Sequence, residues 1–294
     1  MTRVFQHKEI QMRILVWMSG WLRWGAVLVL AAAAPVALAQ GPPFQTDDPV
    51  PVDFQNYEFY VFGAVSSAPT EVDPVGPAFE FNWGAVPRVQ LHAVLPFAAV
   101  VSVNQGADAA PSAFGLTDME FGVKVAFFKE TKRLPQIGMF PMFEVPTGSF
   151  SKGLGVGKTW YKVPLWLQKQ IGPWTLDGGG GYVLNSQEGY GNYPYGGFLL
   201  KKELNKRWEL AAEAFAHGGE GPGIPYASRA TLIDAGGYYH FKQDGLQFLF
   251  AYGHSVAGEA ENFAYLGLYK TWGKKDDKAG GNAMLAQGIR HQTR

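Results

Sequence analysis

The sequence predicts an all-β fold: a transmembrane, antiparallel, up-and-down β-barrel of about 12 strands, with a range of roughly 10–14. Three observations carry the prediction. Apolar and polar residues alternate by twos over most of the chain, the connections between those runs are alternately long and short, and aromatic residues gather near run ends.

The first 39 residues stand apart from this pattern. Arg3, Lys8, Arg13 and Arg23 make a basic start, Trp24–Ala34 is an uncharged apolar run, and Ala37-Leu38-Ala39 supplies the small-x-small pattern of a signal-peptidase site. The uncharged stretch from Trp24 to Ala39 contains Pro35 and falls short of the ~20 residues that a spanning helix needs. Residues 1–39 are therefore expected to be a cleaved signal peptide. Residues 40–55, QGPPFQTDDPVPVDFQ, come before any strand signal. They suit a loose periplasmic leader and a partial plug of the barrel mouth equally.

The barrel itself is expected over residues 56–272. In PAFEFNWG, Phe79, Phe81 and Trp83 alternate with Glu80 and Asn82, and in RVQLHAVLP, Val89, Leu91, Ala93 and Leu95 alternate with Gln90 and His92. The contrast is sharpest in LTDMEFGVKVAFF, where Met119, Phe121, Val123, Val125 and Phe127 share one face and Asp118, Glu120 and Lys124 the other. Leu246, Phe248, Phe250 and Tyr252 alternate with Gln247 and Gly253 in the same way. Twelve such runs fall at roughly 56–64, 76–85, 88–100, 115–128, 135–145, 158–170, 173–185, 192–204, 207–217, 228–241, 245–254 and 261–272. The last, ENFAYLGLYKTWG, places Ala264, Leu266, Leu268 and Trp272 on one face, with Lys270 near the interface, where a lysine snorkels cheaply. Beyond it, residues 273–294 are polar and aperiodic and are expected to be a mobile periplasmic tail.

Loop lengths choose the barrel over a soluble sandwich. The tight connections AVP, IG, NK and KQDG alternate with SSAPTEVDPVG, VSVNQGADAAPSAF and PTGSFSKGLGVG, the pattern of short periplasmic turns and longer outer loops. On that topology Trp83, Trp174, Trp208, Phe241 and Trp272 fall at periplasmic strand ends. Tyr161, Tyr193, Tyr195, Tyr252 and Phe263 fall at outer ends, giving two girdles.

The polar phase names the candidate lumen: Glu58, Glu80, Gln90, His92, Asp118, Glu120, Lys124, Glu144, Lys162, Gln168, Asp177, Glu209, Glu213 and Asp234. This mostly acidic set either forms a satisfied network that plugs the barrel or lines a narrow, cation-tolerant passage. The chain has no cysteine, which excludes disulfides, thiolate metal sites and an acyl anchor on cysteine. His7, His92, His217, His240, His254 and His291 show no metal-binding spacing, so no metal and no cofactor is expected. The mature chain is slightly acidic and without a basic stripe, so nucleic acid is not expected as a partner.

Two glycine-rich stretches invite other readings. SKGLGVGKTWYKVPLW, 151–166, resembles a phosphate-binding loop, but Lys152 stands where its first glycine belongs, and the following residues include Pro164 and alternate instead of turning as a helix. An exposed loop and no nucleotide is the expectation. Gly178–Gly181, inside a strand, suits a bend or a bulky neighbour crossing the lumen.

Four stretches, GPPFQTDDPV (41–50), GLTDMEFGVKVAFFKET (115–131), LPQIGMFPMFEVPTG (134–148) and GLGVGKTWYKVPLWLQKQIGPWTLDGGGGYVLN (153–185), together resemble the "MetA-pathway of phenol degradation" family of exported, outer-membrane-like proteins of Gram-negative bacteria, over about residues 42–272. The resemblance implies an outer-membrane barrel that lets small molecules, aromatic or hydrophobic compounds among them, cross. The expected function is thus a channel or passive transporter and not an enzyme, in contact with outer-membrane lipid and lipopolysaccharide, the barrel-insertion machinery and a small-molecule solute. A closed structural barrel is the first alternative. A lipid-modifying hydrolase using His254 and Ser255, with Glu259 and Glu261 nearby, is the second; adjacent strand residues point to opposite faces, which places that pair poorly as base and nucleophile.

Overall fold

The computed structural model describes residues 41–68, 71–100, 113–186, 190–219 and 229–274. The expected signal peptide, the tail beyond residue 274 and the tips of several outer loops lie outside the described residues.

Among the described residues twelve antiparallel strands close into one ring. They are β1 (Asn56–Ala68), β2 (Glu71–Val86), β3 (Val89–Val100), β4 (Ala113–Leu116 and Met119–Phe128), β5 (Gln136–Met139 and Met142–Val145) and β6 (Trp160–Ile171). Then come β7 (Trp174–Asn185), β8 (Tyr193–Glu203), β9 (Trp208–His217), β10 (Ala230–His240), β11 (Leu246–Gly258) and β12 (Asn262–Gly273). Each strand pairs with the next, and the last pairs with the first from Asn56↔Gly273 to Ser67↔Asn262. Every one of the twelve expected runs lies on a strand.

β4 and β5 are each interrupted once, for local reasons. At 117–118 the chain bulges, and Thr117 N–H donates to the Pro96 carbonyl instead of continuing the regular ladder (2.9 Å). At 140–141 Pro141 has no N–H to give, and its carbonyl accepts from Val123 N (3.0 Å). The first outer connection also differs from expectation. The residues expected as a long loop, 66–76, mostly extend the ladder, with Ser66↔Asp73 and Ser67↔Val72 paired.

The four-glycine stretch on β7 has a packing cause. Trp166, fully buried, points inward from β6, and a Cβ at Gly179 would collide with the Leu165 carbonyl and stand 2.9 Å from the Trp166 ring. Glycine lets the two backbones and the indole share one place.

The apolar phase faces out all round: Phe81, Leu91, Phe143, Leu165, Leu200, Leu210, Ile233 and Leu266 are all exposed. At the end where β1 begins and β12 stops, Tyr57 stacks among Phe81, Trp83 and Trp272 at 5.9, 6.5 and 5.8 Å. Trp208, Tyr239 and Phe241 continue that belt. Lys270, on the outward face, reaches to the Asp244 carbonyl in the adjacent turn, the snorkelling expected of it. The opposite girdle is thinner than the sequence suggested. Tyr161 and Tyr252 point out, but Tyr195 and Phe263 are buried inside the ring and Tyr193 shares their phase, because strand-end position alone does not fix which face a residue takes.

An outer face in hydrocarbon makes a direct prediction. Leu165→Arg, at mid-strand, is expected to lower barrel stability in liposomes by ~2–4 kcal/mol, read as a lower urea midpoint for the heat-modifiable gel band; no change would mean that this face is not in lipid.

Candidate functional site: the barrel interior

Alternation sets the inner wall. On β1, Glu58, Tyr60, Phe62 and Ala64 point in and are buried, while Val61 points out. The same rule places Glu58, Glu80, Gln90, His92, Asp118, Glu120, Lys124, Glu144, Lys162, Gln168, Asp177, Glu213 and Asp234 on the inside, all buried, with Glu209 half-buried beside them.

The structure brings many of these into one network. His92 Nδ1 lies 2.7 Å from Asn82 Oδ1 and Nε2 lies 3.1 Å from Glu120 Oε1. Asn82 Nδ2 donates to Glu80 Oε1 at 2.8 Å, and Tyr269 O–H donates to Glu58 at 2.7 Å. On neighbouring strands β6, β7 and β8, Lys201 Nζ pairs with Asp177 Oδ2 at 2.8 Å, and Gln168 Nε2 donates to the other Asp177 oxygen at 2.8 Å. Trp160 Nε1 donates to Glu144 at 2.6 Å, and Lys162 lies 5.0 Å from the centre of the Trp160 ring.

Asp118 serves a loop. Its two oxygens accept the N–H groups of Gly148 (2.9 Å) and Val156 (2.7 Å), tying down the β5–β6 connection. The sequence pointed to an exposed loop here; instead Leu154 and Val156 are buried, and Val156 packs with Trp160, Trp166, Tyr195 and Phe215 inside the outer mouth. No helix follows the Gly157-Lys158-Thr159 stretch: the chain runs into strand β6.

The lumen is crossed by residues 41–55. Pro42 O accepts from the Tyr238 hydroxyl of β10 (3.4 Å), and the N–H groups of Gln45 (3.0 Å) and Thr46 donate to the Glu213 carboxylate of β9. Asp47 pairs with Lys124 of β4 at 2.9 Å, and Asp48 stands 3.7 Å from the same ammonium. Pro49 O accepts from Gln136 Nε2 of β5 (3.1 Å), Val52 N donates to Gln90 of β3 (2.9 Å), and Gln55 N donates to Gly84 O of β2 (2.8 Å). Phe44, 2% exposed, packs among Tyr60, Phe62, Leu249 and Tyr265. The wall makes room: a Cβ on Gly84 would strike the Asp53 carbonyl, and one on Gly197 would strike Thr46. Burial pushes the Asp47 carboxyl above its usual range, and the Lys124 charge opposes that shift.

Between this segment and the wall a cavity of about 80 Å³ remains, lined by Asp47, Glu58, Glu80, Gln90, Lys124, Lys201, Glu209 and Tyr269 among others. The candidate lumen set leaves out Asn82, although it lies on the polar face of its run, and also Lys201 and the aromatic filling of Tyr60, Trp166, Tyr195 and Tyr265. Their signal was present: Phe198 and Leu200 point out, which turns Lys201 in. The crossing of the lumen by residues 41–55 had no signal beyond Asp47-Asp48 and the prolines.

A family model described as "Putative MetA-pathway of phenol degradation" matches residues 76–269. The chain belongs to this family. Among solved structures it is similar to the COG4313 outer membrane channel from Pseudomonas putida F1, at 14% identity and a TM-score of 0.62 over 76% of this chain and 98% of that one. It is also similar to the KdgM porin in complex with disordered oligogalacturonate (7% identity, TM-score 0.50, 73% of this chain and 99% of that one). The NanC porin stands likewise (9%, 0.50, 72% and 98%). Identities this low speak to fold: this family member has the β-barrel of outer membrane channels. Among curated proteins none matches the chain.

His254 and Ser255 stand apart in the family member's barrel. His254 is exposed and contacts Asn262 Oδ1 (2.8 Å), while Ser255 Oγ accepts the Glu261 N–H (2.8 Å) from the opposite phase.

Removing one partner of a buried ion pair strands the other. Lys124→Met is therefore expected to weaken docking of residues 41–53 by ~3–5 kcal/mol while the ring stays closed. Limited proteolysis of the folded barrel checks this: new cleavage within 41–53 is the expected result, with the heat-modifiable mobility unchanged.

Proposed function

We propose that this protein is a passive outer-membrane channel for small molecules whose lumen is held shut by its own N-terminal segment. The observation that carries the reading is that, among the described residues, the barrel interior is crossed by one non-strand segment, 41–55, joined to the wall by the ion pairs of Lys124 with Asp47 and Asp48 and by scattered hydrogen bonds. A barrel of twelve strands has an interior wider than the side-chain-filled core of eight strands, so displacement of residues 41–55 leaves a passage. The outward apolar face supports contact with outer-membrane lipid and, in the outer leaflet, lipopolysaccharide. Export through a cleaved signal peptide over 1–39 and engagement of the aromatic-ended β12 by the barrel-insertion machinery complete the reading. Solutes are small molecules, aromatic or hydrophobic compounds among them; the aromatic filling of the inner wall around Tyr60, Trp166 and Tyr265 supports that class.

The full mature chain in planar bilayers is expected to give rare, brief openings, and a variant lacking residues 41–53 steady conductance together with solute flux in liposome swelling. A deletion variant that folds but passes neither ions nor solutes would establish the barrel as a closed structural element.

A further inference from the structure

We infer that the turn between β4 and β5, with the strand ends around it, is a docking surface for the headgroups of anionic phospholipid in the inner leaflet. This deepens the proposed function and rests on it for the outer membrane and for the side on which the short turns lie. The turn, KETKRL over 129–134, carries Lys129, Lys132 and Arg133, all exposed. Two neighbours add to them. Arg88, exposed on the β2–β3 turn, donates from Nη1 to the Phe127 carbonyl at 3.2 Å, and its own carbonyl accepts from Ala126 N at 3.1 Å. Lys169, near the end of β6, reaches Glu130 at 2.8 Å. The one carboxylate of the turn therefore stands among five cations, and it is already engaged: Glu130 Oε1 takes the Lys169 ammonium, and both its oxygens face Gln170 N at 3.2 Å.

What surrounds the cations decides the partner. Phe127, Phe128, Leu134 and Ile171 are exposed beside them, and Phe127 and Ile171 continue the outward phase of their strands, the face assigned to hydrocarbon. A soluble anion would leave those side chains in water, whereas a phospholipid meets both needs, its phosphate at the cations and its acyl chains along the apolar band. Arginine matches phosphate with paired N–H donors, and each cation at an anionic lipid surface is worth about fivefold in affinity. The turn is also set in advance. Thr131 N donates to the Leu134 carbonyl at 2.9 Å, and Thr131 Oγ accepts from Arg133 N (3.3 Å) and Leu134 N (2.9 Å), so little order has to be imposed when a headgroup binds. At the opposite end of the barrel Lys152, Lys158 and Arg229 are spread over two loops.

Native mass spectrometry of the full mature chain, released from micelles doped equally with phosphatidylglycerol and phosphatidylcholine, tests this. Phosphatidylglycerol is expected to be retained at least about fivefold over phosphatidylcholine. Lys129→Gln/Lys132→Gln/Arg133→Gln is expected to cut that preference about fivefold or more, and Lys152→Gln/Lys158→Gln/Arg229→Gln, the same change in charge at the far end, to leave it within about twofold. Equal retention of the two lipids, a preference that the turn variant keeps, an equal loss in both variants, or displacement of phosphatidylglycerol by excess soluble glycerol phosphate overturns the inference. So does stronger retention of lipid A through the same three cations, which would put this turn in the lipopolysaccharide leaflet. Should the triple turn variant not fold, Lys132→Gln/Arg133→Gln takes its place. Lipid preference with a segment-deleted barrel that passes nothing keeps this surface and sinks the channel reading; conductance without lipid preference does the reverse.

Discussion

Hydrocarbon offers the backbone no hydrogen-bond partner, and that single constraint organises this molecule. A sheet survives there only if its edges meet, and the ladder from Asn56↔Gly273 to Ser67↔Asn262 is where this one closes. Closure makes every wall residue choose between lipid and lumen. The alternation of Phe79, Phe81 and Trp83 against Glu80 and Asn82 is that choice written into sequence.

The same choice drives the charges inward, and the interior must then deal with them. Buried ions are tolerated when paired and hydrogen-bonded, and the wall meets part of that demand internally through Lys201 with Asp177 and His92 with Glu120. The rest is met by residues 41–55. Asp47 neutralises Lys124, and the N–H groups of Gln45 and Thr46 satisfy Glu213. An acidic wall accepts a segment bearing two aspartates because the segment brings backbone donors as well as carboxylates.

Fold was legible because period two is local and is repeated twelve times. Phase was legible too, wherever it was applied: Glu58, Glu80 and Glu120 follow from it, and so would Tyr195, Phe263 and Lys201. Tyr195 and Phe263 were assigned to a girdle by their position at strand ends, and position along a strand says nothing about face. Lys201 is hidden beside Lys202, a pair whose members look alike and point apart. The docking of residues 41–55 was out of reach for a different reason. Its contacts join residues far apart in sequence, 196 positions in the case of Tyr238 and Pro42, and depend on notches at Gly84 and Gly197 that exist only once the ring has closed. Asp118, likewise, reads as one more lumen carboxylate until the β5–β6 loop is seen folded onto it.

The ring and its contents therefore differ in how they are held. Wall strands share long ladders; β8 and β9 alone pair from Tyr195↔His217 to Glu203↔Glu209. The inner segment has no ladder. Its backbone–backbone bonds to the ring, Gln55 N to Gly84 O and Lys274 N to Gln55 O, lie at its exit into β1, and its other attachments run through side chains. Local opening free energies follow such differences, with sparsely bonded segments opening first and cooperative sheets last. An element that fills the lumen and shares no ladder with the ring is held as the proposed gate would be, whereas a plug meant for permanent rigidity would gain by pairing as a further strand. That contrast, and not the polarity of the wall alone, is what favours a passage over a sealed barrel.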